Sequence, residues 1–455
     1  MEYMTLERIA ECCEGTYYGK EEYKKTEVAG IAIDSRIIQK GWLFVAIRGA
    51  RRDGHDFINS VMEDGALACL SEQVLEHPAG PYILVKSTTE ALKKIAAFYR
   101  RALGIPVVGI TGSVGKTSTK EMIASVLKEK FLVHKTEGNY NNEIGLPLTI
   151  FGITKDHEIA VLEMGISDFG EMHRLAEIAN PDLCVITNIG LCHLEQLGDR
   201  DGILKAKTEV FSHLRGEGIV ILNGDDDKLA TVTEVNGKKP IFYGLNGGTA
   251  FASDLEPLEM EGIRMTLHLN GAAKRVTIPI PGTHNVYNAL AAACVGSALG
   301  MDLEEICRGI ETVETISGRS NLIQKNGITV IDDCYNANPV SMRAAIDVLS
   351  QVSGRKIAVL GDMGELGEQE TEFHREVGTY TVSKQIDMLC CTGELSKEMA
   401  QSAENCSDGT TKVHYFSTKD ALIKALLPKI RKGDTLLIKA SHSMQFSEIV
   451  EKITR

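Results

Sequence analysis

From about Pro106 onward, short apolar and β-branched runs alternate with longer stretches of helical period. That alternation leaves little choice of architecture: strands joined by helices across a mainly parallel sheet, an α/β fold. Strands are predicted at residues 107–110, 159–162, 184–186, 329–331, 357–360 and 436–438, and helices over 91–101, 120–127, 288–299 and 303–313. A chain of 455 residues implies about three domains at roughly 100–200 residues each. Two breaks in the pattern place the boundaries. The helical stretch before Gly104 stops where Pro106 opens a strand, and a second break falls between Thr315 and Gly318. Domains over 1–102, 103–314 and 315–455 follow, packed together through short hinges because neither junction is long or of low complexity.

The first of these strands runs straight into Gly109-Ile110-Thr111-Gly112-Ser113-Val114-Gly115-Lys116-Thr117-Ser118, and a helix follows at once. Strand, glycines and helix in that order build a phosphate-binding loop. Gly112 and Gly115 let backbone N–H groups turn inward beside Ser113 and Ser118, and the helix presents its positive end. Lys116 reaches the terminal phosphates, and Thr117 offers a hydroxyl to Mg²⁺. The strict spacing departs by one residue, since Gly109 stands one place early and Ile110 takes the first glycine position. The base-reading N-K-x-D of GTP-binding proteins is missing, so ATP is the expected nucleotide.

Beyond the loop, Glu163 closes the next strand and puts a carboxylate at the sheet's carboxyl edge, where open α/β sheets take ligands. His193 follows a further strand and is expected in the same crevice. Mg²⁺ prefers oxygen ligands, which favours Glu163; by residue chemistry alone His193 reads equally as a ligand or an ordinary loop histidine. Lys207, in Lys205-Ala206-Lys207-Thr208-Glu209, reads alone as part of a solvated helix face with an i, i+4 charge pair, Lys205 and Glu209, nearby.

Composition narrows the classes. A formal net charge of −13 argues against nucleic acid or an anionic membrane as a general partner. The acidic start of the chain lacks the form of an export signal. The longest apolar stretch, 289–299, is too short for a membrane span and is broken by Gly296 and Ser297. A cytoplasmic protein with no membrane insertion is expected, and its eleven cysteines, without any C-x-x-C spacing, are expected to be reduced and mostly buried.

Further residues carry a resemblance. Asp34-Ser35-Arg36, Gly41-Trp42-Leu43-Phe44-Val45-Ala46 and Asp53-Gly54-His55-Asp56-Phe57 lie near the start. Asn139-Tyr140-Asn141-Asn142-Glu143-Ile144-Gly145-Leu146-Pro147 and Tyr335-Asn336-Ala337-Asn338-Pro339-Val340-Ser341-Met342 follow in the later parts. Together with the phosphate loop they resemble the Mur ligase family over essentially the whole chain. The two Asn-rich runs are most similar to its D-alanyl-D-alanine-adding member, and the Asp-Asn-Pro-Arg of the diaminopimelate-adding sibling is missing.

The resemblance implies a smaller N-terminal α/β domain, a central domain with a P-loop-type mainly parallel sheet, and a Rossmann-like C-terminal domain. It implies ATP and two Mg²⁺ ions, with Thr117, Glu163, His193 and a carbamylated Lys207 as metal contacts. Lys116, Lys207 and His193 become the catalytic set. Asn288, Arg319, Asp333, Tyr335 and Asn336 would complete the nucleotide site. Asp34, Ser35, Arg36, Asp53, Gly54, His55, Asn141, Asn142 and Ser167 would hold substrate. The implied partners are UDP-N-acetylmuramoyl-tripeptide and D-alanyl-D-alanine, bound by a monomer. One departure is visible: His442 ends Lys439-Ala440-Ser441-His442 where the family usually has Arg, which implies a weaker and pH-dependent hold on phosphate.

The expected reaction phosphorylates a carboxylate and lets an amine displace the phosphate, with domain closure excluding water. No Ser-His-Asp or Cys-His arrangement suggests a covalent enzyme intermediate. Two other readings remain open from residues alone: a folate-extending ligase of the same superfamily, and a switch that uses ATP only to change shape.

Overall fold

Three sheets organise the computed structural model, which describes residues 1–455. The N-terminal sheet has five strands, four of them parallel, with Thr16–Tyr18 added antiparallel at one edge. The central sheet has nine. Seven run parallel, and the last two, Ile263–Leu269 and Ala272–Ile278, extend it as an antiparallel hairpin. The C-terminal sheet has six strands, again parallel apart from the edge strand Asn321–Lys325.

The central sheet explains where ligands would sit. Strand Val107–Thr111 is buried along its length and lies between Ile159–Glu163 and Leu183–Ile186. The chain finishes one side of Val107–Thr111 before crossing to the other, so the strand order reverses there and a crevice opens at the carboxyl ends. Apolar residues from these strands feed cores on both faces of the sheet: Leu162 and Ile186 on one, Val108, Val161 and Val185 on the other. Burial on both faces is why the strands read as continuous apolar runs.

Every predicted strand is present and longer by one or two residues; in two of them a polar residue, Glu163 or Asp332, is the last to pair. The predicted helices occur as Thr88–Leu103, Lys116–Leu127, His284–Ala298 and Leu303–Glu311. The βα alternation does not anticipate the hairpin. In Ile263–Leu269, Ile263, Met265, Leu267 and Leu269 face inward while Arg264, Thr266 and His268 lie between them, the period of a half-buried strand.

Arg100 anchors the N-terminal part to the central sheet. It is fully buried on helix Thr88–Leu103 and donates to Ala179 O at 2.9 Å, Asn180 O at 3.1 Å and Asp182 Oδ2 at 2.9 Å. These contacts satisfy carbonyls at the end of helix Glu171–Ala179. All eleven cysteines are unpaired, and only Cys406 is exposed. No helix is long and apolar enough to cross a membrane.

Candidate active site

The phosphate loop follows Thr111 in a conformation that only glycine permits at its two turns. Gly112 has φ +147°, and a Cβ there would lie 1.9 Å from Thr187 Oγ1; Gly115 has φ +83° and caps helix Lys116–Leu127. Asn188 braces the loop tip, accepting from Val114 N at 3.0 Å and donating to Val114 O at 2.9 Å, while its backbone carbonyl accepts from Ser113 N at 3.0 Å. Lys116 Nζ donates to Gly112 O at 2.9 Å. Burial lowers the Lys116 pKa, against the opposing pull of Glu163.

Beside the loop, Glu163 is 1% exposed. Asn141 donates to its Oε1 at 2.7 Å, whereas Oε2 is buried without a hydrogen-bond partner. The nearest cation, Lys120 Nζ, is 4.0 Å from Oε2 and donates to Thr136 O at 2.6 Å. A buried carboxylate oxygen with no donor is costly, so a cation is the expected complement. His193 reaches the same cavity with φ +50°. No three His, Cys, Asp or Glu side chains converge into a closed metal cage. Glu163, the buried Thr117 hydroxyl and His193 offer an open set that phosphate oxygens would complete, which fits Mg²⁺.

Lys207 overturns the solvated-face reading. It is 1% exposed on helix Arg200–Thr208 and has no carboxylate partner. Burial, and then the Lys116 charge, pushes its pKa down to about 8. It is not among the residues that line the cavity, whereas the predicted Ser113, Gly115, Lys116, Thr117, Ser118, Asn141, Asn142, Glu163, Ser167 and His193 are.

The opposite wall of this 450 Å³ cavity comes from beyond residue 315 and includes Arg319, Asp333, Tyr335 and Asn336. The Arg319 guanidinium lies 3.9 Å above the Tyr335 ring. Asp333 accepts from Lys439 Nζ at 2.5 Å and from Ser320 N at 3.0 Å. Asn288, from the central sheet's side, accepts from Thr119 Oγ1 at 2.7 Å. His442 is exposed, with its ring 5.6 Å from that of Tyr335.

Comparison with known proteins agrees with this layout. The family description "Mur ligase middle domain" matches residues 110–296, "Mur ligase, glutamate ligase domain" matches 318–442, and "Mur ligase family, catalytic domain" matches 27–107. The chain belongs to the Mur ligase family. UDP-N-acetylmuramoyl-tripeptide--D-alanyl-D-alanine ligase of Bacillus subtilis is 38% identical to this Mur ligase over 99% of the chain and 98% of its own length. A crystal structure of MurF from Acinetobacter baumannii superposes with a TM-score of 0.92 at 32% identity, covering 99% of this chain and 98% of that one. MurF of Thermotoga maritima, solved in complex with ADP, gives 0.83 at 32% identity, over 93% and 97%.

The N-terminal residues of this Mur ligase stand apart from the cavity. Asp34 caps the turn Ser35–Ile37, accepting from Arg36 N at 3.0 Å and from the Arg36 guanidinium at 2.6 Å, which holds its carboxyl down at about 2. Asp53 caps Gly54–Phe57 in the same way through His55 N at 3.0 Å, and that backbone bond is the main reason its carboxyl is lowered. His55 Nδ1 lies 2.6 Å from Asp53 Oδ1 and its Nε2 accepts from Glu72 N at 3.0 Å, so the proton sits on Nδ1.

Sequence reasoning missed Asn223, Tyr243, His284, Tyr287, Asn338 and Lys439, all on the cavity wall. Asn338 and Lys439 lie inside the runs 335–342 and 439–442, and His284 and Tyr287 stand four and one residues before Asn288, so proximity was the usable signal. Asn223 ends a strand of the same sheet and Tyr243 stands one residue before the end of the next, so both carried the same edge-of-sheet argument as Glu163.

Proposed function

We propose that this Mur ligase uses ATP to join D-alanyl-D-alanine to the carboxylate of UDP-N-acetylmuramoyl-tripeptide, giving the pentapeptide precursor of peptidoglycan, ADP and phosphate. The observation that carries the reading is one cavity walled by both the phosphate loop and the C-terminal Asp333–Ser341 region, holding a buried carboxylate one of whose oxygens has no hydrogen-bond partner. The near-full-length similarity to ligases bearing that name supports the choice of substrates. We infer the domains 1–102, 103–314 and 315–455 for the UDP-substrate, ATP and ligase parts.

In this reading Lys116 and the loop N–H groups hold the β- and γ-phosphates, and Asn288, Arg319, Asp333, Tyr335 and Asn336 hold the nucleoside end. Asp34, Ser35, Arg36, Asp53, Gly54 and His55 bind the UDP moiety. Asn141, Asn142 and Ser167 face the reacting peptide end. Thr117, Glu163, His193 and Lys207 would hold two Mg²⁺ ions, which supply neutralisation of phosphate charge when bound. The Lys207 amine reaches CO₂ with its lone pair once neutral, forming an N–C bond and releasing a proton; the resulting carbamate is a carboxylate-like ligand. The γ-phosphoryl passes to the tripeptide carboxylate, the dipeptide amine attacks that acyl carbon, and phosphate leaves as the amide forms. Positioning and electrostatics provide the acceleration.

Both substrates and ATP belong to the cytoplasm, which is the inferred location. A monomer is the inferred working unit. The test is ADP release measured with each candidate amine in turn. Release should require UDP-tripeptide and be matched by pentapeptide only with D-alanyl-D-alanine. Lys116→Ala should lower turnover by about 10²–10³-fold and leave binding of the UDP substrate intact. ATP hydrolysis independent of both peptides would return the shape-changing switch to first place.

A further inference from the structure

The geometry points to Glu365 as a positioning residue for His193, delivered from the C-terminal domain so that the cation site is completed only when that domain is docked. This rests on reading His193 as a cation ligand. Residue 193 belongs to the central part of the chain, yet part of its surroundings comes from the C-terminal domain. Leu191 and Leu194, on either side of it, pack against the C-terminal core built from Ile331, Met342 and Leu360. The His193 loop is therefore a central-domain segment whose partly buried apolar flanks pack against the other domain's core, Leu194 touching the central core as well.

Across that junction, Glu365 Oε2 lies 2.8 Å from His193 Nδ1. Nδ1 is buried and the approach falls short of strict hydrogen-bond alignment, a mismatch that rotation of the 63%-exposed Glu365 side chain would correct. Both residues hold the left-handed backbone, His193 at φ +50° and Glu365 at φ +60°. Non-glycine residues take that conformation uncommonly, and two of them face each other here.

The turn that carries Glu365 is fixed from within its own domain. Met363 N donates to His374 Nε2 at 2.9 Å, and Gly364 N donates to Ser441 Oγ at 2.7 Å. A carboxylate on one imidazole nitrogen sets the tautomer and turns the other nitrogen's lone pair to a ligand. With Nδ1 facing Glu365, Nε2 is the nitrogen left for a cation. Central-domain Glu163 and Thr117 can recruit the ion without the C-terminal domain, but His193 gains its orientation only on docking.

The experiment measures Mn²⁺ affinity by paramagnetic resonance on the full-length enzyme saturated with ADP. It compares wild type, His193→Ala, Glu365→Ala, Glu365→Gln and the double alanine variant. Glu365→Ala is expected to weaken Mn²⁺ about tenfold, Glu365→Gln to retain most affinity because an amide oxygen still accepts the Nδ1 proton, and Glu365→Ala to add nothing in the His193→Ala background. Wild-type affinity in Glu365→Ala, tighter binding, or a loss that adds fully to that of His193→Ala would overturn the assignment. Unchanged affinity in His193→Ala would instead remove the ligand reading on which it stands.

Discussion

Lys207 shows what burying a single lysine costs. Its pKa falls from 10.5 to about 8 because burial disfavours the ammonium and Lys116 repels it. Between those two values the unfolded chain binds a proton that the folded one lacks, so stability rises with pH across that window and the full penalty is present below it. The difference corresponds to about 3 kcal/mol. Lys207→Met, unfolded by denaturant in CO₂-free buffer, should therefore be more stable than wild type by up to about 3 kcal/mol near pH 7, with the gain fading as pH climbs through the window. Activity should move the opposite way: Lys207→Ala should be inactive and partly restored by small carboxylates. Depletion of bicarbonate should cost wild type most at low pH, where the neutral amine is scarce. No restoration by carboxylates would mean that Lys207 is only a buried lysine. Lys116 and Glu163 were legible from strand-end position and local pattern. Lys207 was not, because its burial is a tertiary effect and the charge that repels it, Lys116, comes from another element, the phosphate-loop helix.

At the scale of elements, the βα alternation was legible because burial on both faces makes each parallel strand a continuous apolar run, as in Val107–Thr111. The hairpin Ile263–Ile278 escaped it because its alternating period belongs to a strand with one exposed face. The element that matters most for chemistry is the turn between Val107–Thr111 and Lys116–Leu127, and its fit against residues 187–190 makes a sharp prediction. A methyl group on Gly112 would sit 1.9 Å from Thr187 Oγ1, and that hydroxyl donates to Val114 O at 2.7 Å within the same loop. Gly112→Ala must therefore displace either the loop or the strand end beneath it. ADP affinity should fall at least about tenfold, the equivalent of 1.4 kcal/mol, with a stability loss of about 1–3 kcal/mol from overpacking. Gly115→Ala, with its nearest neighbour 3.6 Å away, meets no clash and only the strain of φ +83°. Calorimetry with ADP separates the two: equal affinities in both variants would show that the loop adapts and that Gly112 is dispensable.

The whole molecule closes its cavity through contacts at two separate places, and neither was visible in the sequence, since the partners are far apart along the chain. One is the His193 loop. The other is the turn Glu259–Glu261 that leads into the central hairpin, where Met260 packs against the C-terminal core and Glu259 accepts from Ser353 Oγ at 3.2 Å, across 94 residues of sequence. An acyl phosphate is hydrolysed by water, so an enzyme that makes one gains from holding its domains together until the amine attacks. Met260→Asp tests that argument away from the reacting groups. It would place a carboxylate against apolar side chains and disfavour the docked arrangement by about 2 kcal/mol, or roughly thirtyfold in population. Small-angle scattering with ADP and the UDP-tripeptide should then show a larger radius than wild type. Phosphate release should exceed pentapeptide formation, because the activated carboxylate is lost to water before the dipeptide reaches it. Binding of ADP at the phosphate loop should weaken less than coupling does, as Lys116 and Thr117 lie on the central domain alone. Strict one-to-one coupling in a variant that scattering shows to be open would mean that the amine, and not domain closure, protects the intermediate.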